Sequence, residues 1–376
     1  MPDRYLLRIA HHPDPDRIGR VRFLYPGERI ELGRNCTVFG PDGLQDPRMS
    51  RAHARIVALS YGVIVEDLGS RNGTVVNGVP VRRTDVDPGD LIGMGRVIIQ
   101  VGARPGDRIE PPRHPAGIVS ASPAMWPVIE QVTDPVHTTG VTIVWGPRGS
   151  GRRTIARALH DELGREGAFV TASLVGVPPD RVPYALHGHA TDADRSPMAR
   201  ADGGTLVLTD MDAADPAAWE SVVALVETGA QHPVGGRPQL RDIKLVITMA
   251  RDPSQALATN DLPTVIWSSA RDRTIFVPPL HARREDILPL ARHLACLHRG
   301  WPVRLDRHLA MALGSSGWPG EVDELDSVIA RIVDEQRDRE LLTLPDWAHD
   351  VLGPRAPSSQ STFDSLELLP LNPRRP

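Results

Sequence analysis

Residues 141–154 read VTIVWGPRGSGRRT. A five-residue apolar run ends at Trp145, and Gly146, Gly149 and Gly151 follow it. From Arg152 onward Ile155, Ala156, Leu159 and Leu163 recur at helical spacing. A continuous apolar run fits a strand buried on both faces. Glycines between such a strand and a helix let backbone N–H groups turn toward an anion. The stretch therefore predicts a strand–turn–helix unit in a parallel α/β sheet.

Toward the C-terminus, residues 205–208 (TLVL) and 244–248 (KLVIT) repeat the buried-strand pattern. Residues 284–297, 306–313 and 321–335 carry helical spacing. Strands alternating with helices predict a doubly wound α/β domain over residues 118–280, then a small helical lid over 281–350. Residues 351–376, rich in Pro and Ser, are expected to form a disordered tail. Toward the N-terminus, residues 103–117 (ARPGDRIEPPRHPAG) hold four prolines and five charges and read as an interdomain linker. Residues 1–102 read as all-β. Short β-forming runs at 5–9, 21–24, 29–32, 53–59, 63–66 and 97–101 are separated by Pro26-Gly27, Asn72-Gly73, Asn77-Gly78 and Pro88-Gly89-Asp90. Evenly spaced short strands predict a sandwich. The fold class is thus multidomain, an all-β sandwich ahead of an α/β domain.

Composition narrows the function. The chain has 376 residues, 40% hydrophobic and 24% charged, which excludes disorder throughout and fibrous repeats. A net charge of −4 gives no global field for nucleic acid. Lys244 is the only lysine among 43 basic residues, so a single Lys-to-Arg replacement carries little weight in this chain. The two cysteines, Cys36 and Cys296, lie far apart and fit a reducing compartment. The start lacks a leader pattern and the apolar runs are too short to span a bilayer, so a cytoplasmic protein without membrane contact is expected. His11-His12, His187 with His189, and His293 with His298 lack a partner set of carboxylates or thiolates, and no metal site is expected.

Two constellations carry chemistry. In the first, Gly33-Arg34 follows a strand, and Ser50-Arg51-Ala52-His53 opens another. Asp67-Leu68-Gly69-Ser70-Arg71-Asn72-Gly73-Thr74 then leads to Asn77-Gly78 and Gly89-Asp90. The asparagine–glycine pairs would serve as turns in any β-protein, whereas Arg34 and Ser50 answer no structural need. This order resembles the forkhead-associated (FHA) domain, a sandwich that binds phosphothreonine. The resemblance implies that Arg34 and Ser50 contact the phosphate, that Arg51 and Arg71 add contacts or positive potential, and that Asn72 bonds the ligand backbone. It assigns His53 to bracing the loops. A phosphothreonine carries nearly two negative charges and three acceptor oxygens, which suits guanidinium, hydroxyl and amide donors.

The second constellation runs Ser122-Pro123-Ala124-Met125, Gly146 to Thr154, Phe169-Val170, Leu186-His187-Gly188-His189 and Ala201-Asp202-Gly203-Gly204-Thr205-Leu206. It closes with Pro278-Pro279-Leu280-His281-Ala282-Arg283-Arg284-Glu285-Asp286-Ile287 and Gly317-Trp318-Pro319-Gly320. It resembles the AAA+ ATPase domain of sigma-54-dependent transcriptional activators, and the expected fold is a P-loop α/β domain with a lid. Gly146, Gly149, Ser150, Gly151, Arg152 and Arg153 are the candidate nucleotide-binding positions, with ATP and Mg2+ as the cofactors to consider.

Against that pattern the chemical groups are replaced. Arg152 stands for the phosphate-reaching lysine, with Arg153 after it. Thr209 stands where the Mg2+-shell carboxylate belongs and Asp210 where the water-activating Glu belongs. A one-residue slip would assign Asp210 to magnesium and Met211 to the base. Ala250 replaces the sensor asparagine. Pro263 and Ser269 occupy the arginine-finger positions, and Asp323 replaces an arginine of the lid. Residues 190–200 (ATDADRSPMAR) lack the family's Gly-Ala-Phe-Thr-Gly-Ala sigma-contact loop. The family's DNA-binding helices have no counterpart, so no DNA-binding domain is expected.

The resemblances together imply a phosphothreonine-dependent regulatory adaptor with a pseudo-ATPase scaffold and no catalytic residues. Its expected partners are a phosphothreonine-containing protein and AAA+ domains in self-association or a heteromeric ring. The alternatives are an active sigma-54-interacting ATPase and an ATP-binding switch without hydrolysis.

Overall fold

The computed structural model describes residues 4–41, 44–104, 113, 115–138 and 140–353. The expected tail from residue 354 onward and most of the expected linker lie outside these residues. The chain divides into two compact units. The first holds the described residues up to 104 together with 304–317 and those from 339 on; the second holds those from 113 to 303 with 318–338.

The first unit is built from β1 (Arg4–His11), β2 (Val21–Leu24), β3 (Arg29–Leu32), β4 (Ala54–Ala58), β5 (Val63–Asp67), β6 (Thr74–Val76), β7 (Val79–Val81), β8 (Arg83–Val86), β9 (Leu91–Met94) and β10 (Val97–Arg104). They form two antiparallel sheets, ordered β2-β1-β10-β9-β6-β7 and β3-β4-β5-β8. Alternation sets the faces: Ala54, Ile56 and Ala58 turn inward while Arg55 turns out and pairs with Glu31 at 2.9 Å and Glu66 at 3.2 Å. Leu7, Ile9, Leu24, Leu32, Ile56, Val65 and Ile99 fill the space between the sheets. β10 runs to Arg104, two residues into the stretch expected as linker.

Register positions the site. Leu32 faces Ala54, and Ala54 faces Asp67 on its other side. The ends of β3 and β5 and the start of β4 therefore share one edge, and residues 33–34, 50–53 and 68–73 leave the sandwich together. Strands β6 to β9 carry no clear periodic signal because they are three or four residues long and bounded by turns. Asn77, at φ 49°, closes the β6–β7 hairpin with Gly78 and donates from its amide to Asp90 at 2.8 Å.

The second unit opens with α1 (Trp126–Val132), β11 (Val141–Trp145), α2 (Arg152–Glu162), β12 (Phe169–Ser173), α3 (Val182–His187), α4 (Pro197–Arg200), β13 (Thr205–Thr209) and α5 (Ala218–Thr228). A short hairpin, β14 (Ala230–Gln231) with β15 (Gln239–Leu240), leads to β16 (Lys244–Met249), α6 (Pro253–Ala258), α7 (Thr264–Ala270), β17 (Thr274–Phe276) and α8 (Ile287–Arg299). Five strands pair in parallel in the order β12-β13-β16-β11-β17. Leu206 and Leu208 of β13 pack on one face and Val207 on the other, as do Leu245 and Ile247 against Val246 in β16. Both faces are covered, which is why these strands read as continuous apolar runs.

The remaining elements are β18 (Arg304–Leu305), α9 (Arg307–Ser315), α10 (Glu321–Glu335), β19 (Leu341–Leu342) and α11 (Ala348–Val351). The expected lid over 281–350 is not one body: α8 and α10 stay with the α/β unit, while β18, α9, β19 and α11 belong to the sandwich unit. α9 packs on β9 and β10. At Gly93 of β9 a Cβ would stand 2.7 Å from Val75 and 2.8 Å from the Met311 methyl, so the bare backbone there seats the helix. Among the described residues no helix is long and apolar enough to cross a membrane.

Candidate functional site

In the sandwich unit the two loops at the shared edge are bound into one cluster. The Arg34 N–H donates to the Ser50 carbonyl at 3.0 Å, and the Arg71 N–H donates to Ser50 Oγ at 3.0 Å. His53 is fully buried and holds both loops. Its Nδ1 accepts the Ser50 N–H at 3.1 Å, which leaves the proton on Nε2 for the Gly73 carbonyl at 3.1 Å. The Asn72 amide donates to the Arg48 carbonyl at 2.6 Å. Gly33 is required by contact: a Cβ there would lie 1.8 Å from the Arg51 carbonyl oxygen. Asp67 anchors the second loop, accepting from the Gly69 and Ser70 N–H groups and from the Ser70 and Thr74 hydroxyls. Burial alone would raise its carboxyl, but those donors hold it below the ordinary carboxylate value.

These residues surround a cavity of about 680 Å3 lined by Arg34, Ser50, Arg51, Arg71 and Asn72, with Arg48, Gly73 and Gly95 beside them and Arg307 and His308 from α9. Five arginines reach it, and among the described residues no carboxylate lines it. The five sequence-predicted binding residues are thus brought to one place. Arg48, Arg307 and His308 were not among them. Gly93, a glycine inside a strand, was the available signal for an element packed close to β9.

In the α/β unit the glycine turn lies between β11 and α2. Gly146, Gly149 and Gly151 have φ of 147°, 79° and 93°. At Gly146 a Cβ would meet the Val277 carbonyl oxygen at 2.3 Å. α2 starts at Arg152 without a side-chain cap, so its first N–H groups remain donors for an anion. Ser150 is buried, and its hydroxyl has no partner. Arg153 is exposed.

The side chain of Arg152 runs elsewhere. Its Nη2 lies 2.6 Å from Asp210 Oδ1, at the end of β13, and only 8% of the side chain is exposed. Asp210 sits at φ 54° and ψ 42°, with its N–H donating to Thr248 Oγ1 at 3.0 Å. The Thr209 hydroxyl contacts the Ala172 carbonyl at 3.4 Å. The Ala250 N–H donates to Asp212 Oδ2 at 3.0 Å.

The other replaced positions are structural or exposed. Pro263 caps the start of α7. Ser269 Oγ accepts the Val141 N–H at 3.2 Å, at the far end of β11 from the glycine turn. Asp323 is exposed at the start of α10, where the Val322 N–H donates to the Gly149 carbonyl at 2.9 Å. Gly146 to Arg152, Asp210 and Ala250 thus gather at the C-terminal edge of the sheet, where α/β proteins bind ligands. Ser269 does not join them, lying at the opposite end of β11.

These residues fit the two parts of Mg2+–ATP unequally. The glycine turn and the open start of α2 fit a phosphate chain. The metal side does not fit, because Thr209 supplies no carboxylate and Asp210 is engaged by a guanidinium.

The FHA domain family model matches residues 17–95, and the Sigma-54 interaction domain model matches residues 118–268. The chain is 27% identical over 256 residues to the DNA-binding transcriptional regulator NtrC of Rhizobium meliloti (strain 1021), covering 65% of this chain and 53% of that protein. It is 28% identical over 233 residues to the Nif-specific regulatory protein of Azospirillum lipoferum, covering 59% and 37%. The chain spans about half or less of the length of these relatives. In fold it is similar to NtrX from Brucella abortus, solved in complex with ATP, with a TM-score of 0.54 and 24% identity over 65% of this chain and 57% of that one.

Proposed function

The chain carries an FHA domain ahead of a sigma-54 interaction domain of the AAA+ type, and from this we propose a regulator that reads phosphothreonine and does not hydrolyse ATP. The observation that carries the binding half is the arginine-lined cavity. Arg34, Ser50, Arg51 and Arg71 meet there with no carboxylate among the described lining residues, an arrangement suited to a dianion. Arg34 and Ser50 take the phosphate, Asn72 the ligand backbone, and His53 holds the loops in register. The partner is a protein phosphorylated on threonine.

The Arg152–Asp210 pair, with its arginine buried, supports the non-catalytic half. A phosphate loop leaves its cation for the nucleotide and its strand-end carboxylate for metal and water. Here the two charges engage each other. Ala250 supplies no polar side chain, and Pro263, Ser269 and Asp323 supply no cation, where a transition state would need them.

Two measurements test the reading. Peptide binding to the whole chain, with and without phosphatase treatment, is expected to depend on the phosphate. Phosphate release from ATP, followed across protein concentrations to allow for ring assembly, is expected to stay at background. Turnover like that of active AAA+ activators, or open-complex formation with sigma-54 polymerase, would restore the active reading.

A second reading, a switch that binds ATP without hydrolysing it, is favoured by one observation. The glycine turn and the uncapped start of α2 keep an anion cradle intact. A nucleotide-binding titration separates it from a scaffold that binds none.

A further inference from the structure

The phosphothreonine reading accounts for one dianion, but the cavity holds more positive charge than one phosphate uses. Arg34, Ser50, Arg51 and Arg71 come from the loops that the sandwich brings to one edge. Arg307 and His308 come from α9, far along the chain, and Arg48 lies beside them in the rim. The helix is not an incidental neighbour. It is seated on the bare backbone of Gly93, where a Cβ would stand 3.1 Å from the Arg307 guanidinium. Its start is fixed by Asp306, whose carboxylate accepts the Leu309 N–H at 2.7 Å.

Arg307 is poorly satisfied where it stands. Its Nε is buried without a hydrogen-bond partner. Burial works against its charge and Arg48 adds to that, while Asp46 and Asp306 favour it. Both carboxylates also serve other donors. Asp46 is buried and accepts from the Arg96 N–H at 2.6 Å and from its guanidinium at 3.0 Å, and Asp306 caps the helix. Two cations close enough to oppose each other, one of them partly desolvated, make a receptor for an anion.

Resting on the phosphothreonine assignment, we propose that Arg48, Arg307 and His308 form a second anion subsite in the same cavity, so that the preferred ligand carries a second acidic group near its phosphothreonine. The group is either a carboxylate side chain or a second phosphate; both would engage the guanidinium groups as charge-assisted acceptors.

The test uses the full chain and three peptide series. The first has one phosphothreonine and neutral flanks. The second adds a Glu at each flanking position in turn, and the third adds a second phosphothreonine instead. At one or more positions the added anion is expected to tighten binding by about 10-fold or more. The Glu and phosphate series show which source the subsite prefers. Arg307→Gln is expected to weaken the best two-anion peptide at least ~10-fold more than the one-anion peptide. Arg48→Ala, at an exposed position, is expected to do the same and guards against misfolding of the helix variant. Equal losses on both peptides for both variants, or no benefit from any added anion, overturns the second subsite. If phosphate dependence and sensitivity to Arg34→Ala persist in that case, the phosphothreonine site itself stands. If the wild type shows no phosphate-dependent binding, both fall.

Discussion

Arg152 Nη2 and Asp210 Oδ1 are 2.6 Å apart, joining the first residue of α2 to the residue that follows β13. Arg152 stands at the position of the phosphate-reaching lysine, and Asp210 at that of the water-activating Glu or, with a one-residue slip, of the magnesium carboxylate. Joined, they close the charge balance of the site from within the chain. Arg152 Nη1, buried beside this contact, has no partner of its own.

Asp210→Asn removes the carboxylate and leaves the Arg152 cation unpaired in a largely buried setting. The backbone does not confound the change, because Asn tolerates the left-handed conformation that Asp210 adopts. Removing one partner of a fully buried pair costs about 3–5 kcal/mol; with 31% of the Asp210 side chain exposed, about 1–3 kcal/mol is expected. Chemical denaturation of the two proteins measures it. An unchanged midpoint would mean that the pair contributes nothing to folding.

Arg34→Ala is expected to weaken phosphothreonine peptide binding about 10- to 150-fold, since a hydrogen bond to a charged group contributes about 1.5–3 kcal/mol. Asn72→Ala is also expected to weaken binding while keeping the preference for phosphate, because its assigned contact is with the ligand backbone and no cation is removed. Calorimetry at two salt concentrations checks both, with weaker wild-type binding at the higher one. An Arg34→Ala protein that binds as well as wild type would show the assignment to be wrong.

Gly33→Ala forces a methyl to within 1.8 Å of the Arg51 carbonyl oxygen, which is backbone and cannot swing aside. The 50–53 loop must move, at about 1–3 kcal/mol. A lower Tm together with weaker peptide binding is expected, because Ser50 and Arg51 move with the loop. Full stability and affinity in this variant would contradict the described approach of the two loops.

His187 is buried, and its Nδ1 accepts the His232 N–H at 3.0 Å. Burial, reinforced by the nearby His232, pushes its pKa down to about 4 from the ordinary 6.5. Between those values the unfolded chain binds more protons than the folded one. Stability of the α/β unit is therefore full above pH 6.5 and falls as the pH drops toward about 4. The slope from this residue is at most about 1.4 kcal/mol per pH unit. His187→Gln is expected to flatten the pH profile of urea unfolding. His137, held down to about 4 by burial and by Lys244, supplies a second, independent slope. An identical profile in the variant would remove His187 from the account.

The sequence by itself determined the two fold classes and named five of the residues that line the first cavity. Short alternating runs such as Ala54–Ala58 and continuous ones such as Lys244–Met249 carry their burial in their composition, because one face or both faces must be apolar. Arg34, Ser50, Arg71 and Asn72 were named because their order along the chain resembles that of FHA domains, and the register of β3, β4 and β5 is what brings them to one edge. Strands β6 to β9 were not legible, since three or four residues between turns show no period.

Only the tertiary structure decided how the distant groups are used. That Arg152 meets Asp210 depends on β11 and β13 ending at the same edge of the sheet with β16 between them, an order that no local pattern encodes. That Ser269 braces the start of β11 rather than reaching outward depends on where α7 packs. The expected lid divides because α9 finds its apolar contact on the bare backbone of Gly93, and burial of a helix face does not depend on its neighbours in sequence. Arg307 reaches the cavity for that reason alone: local propensity made the helix, and packing placed it.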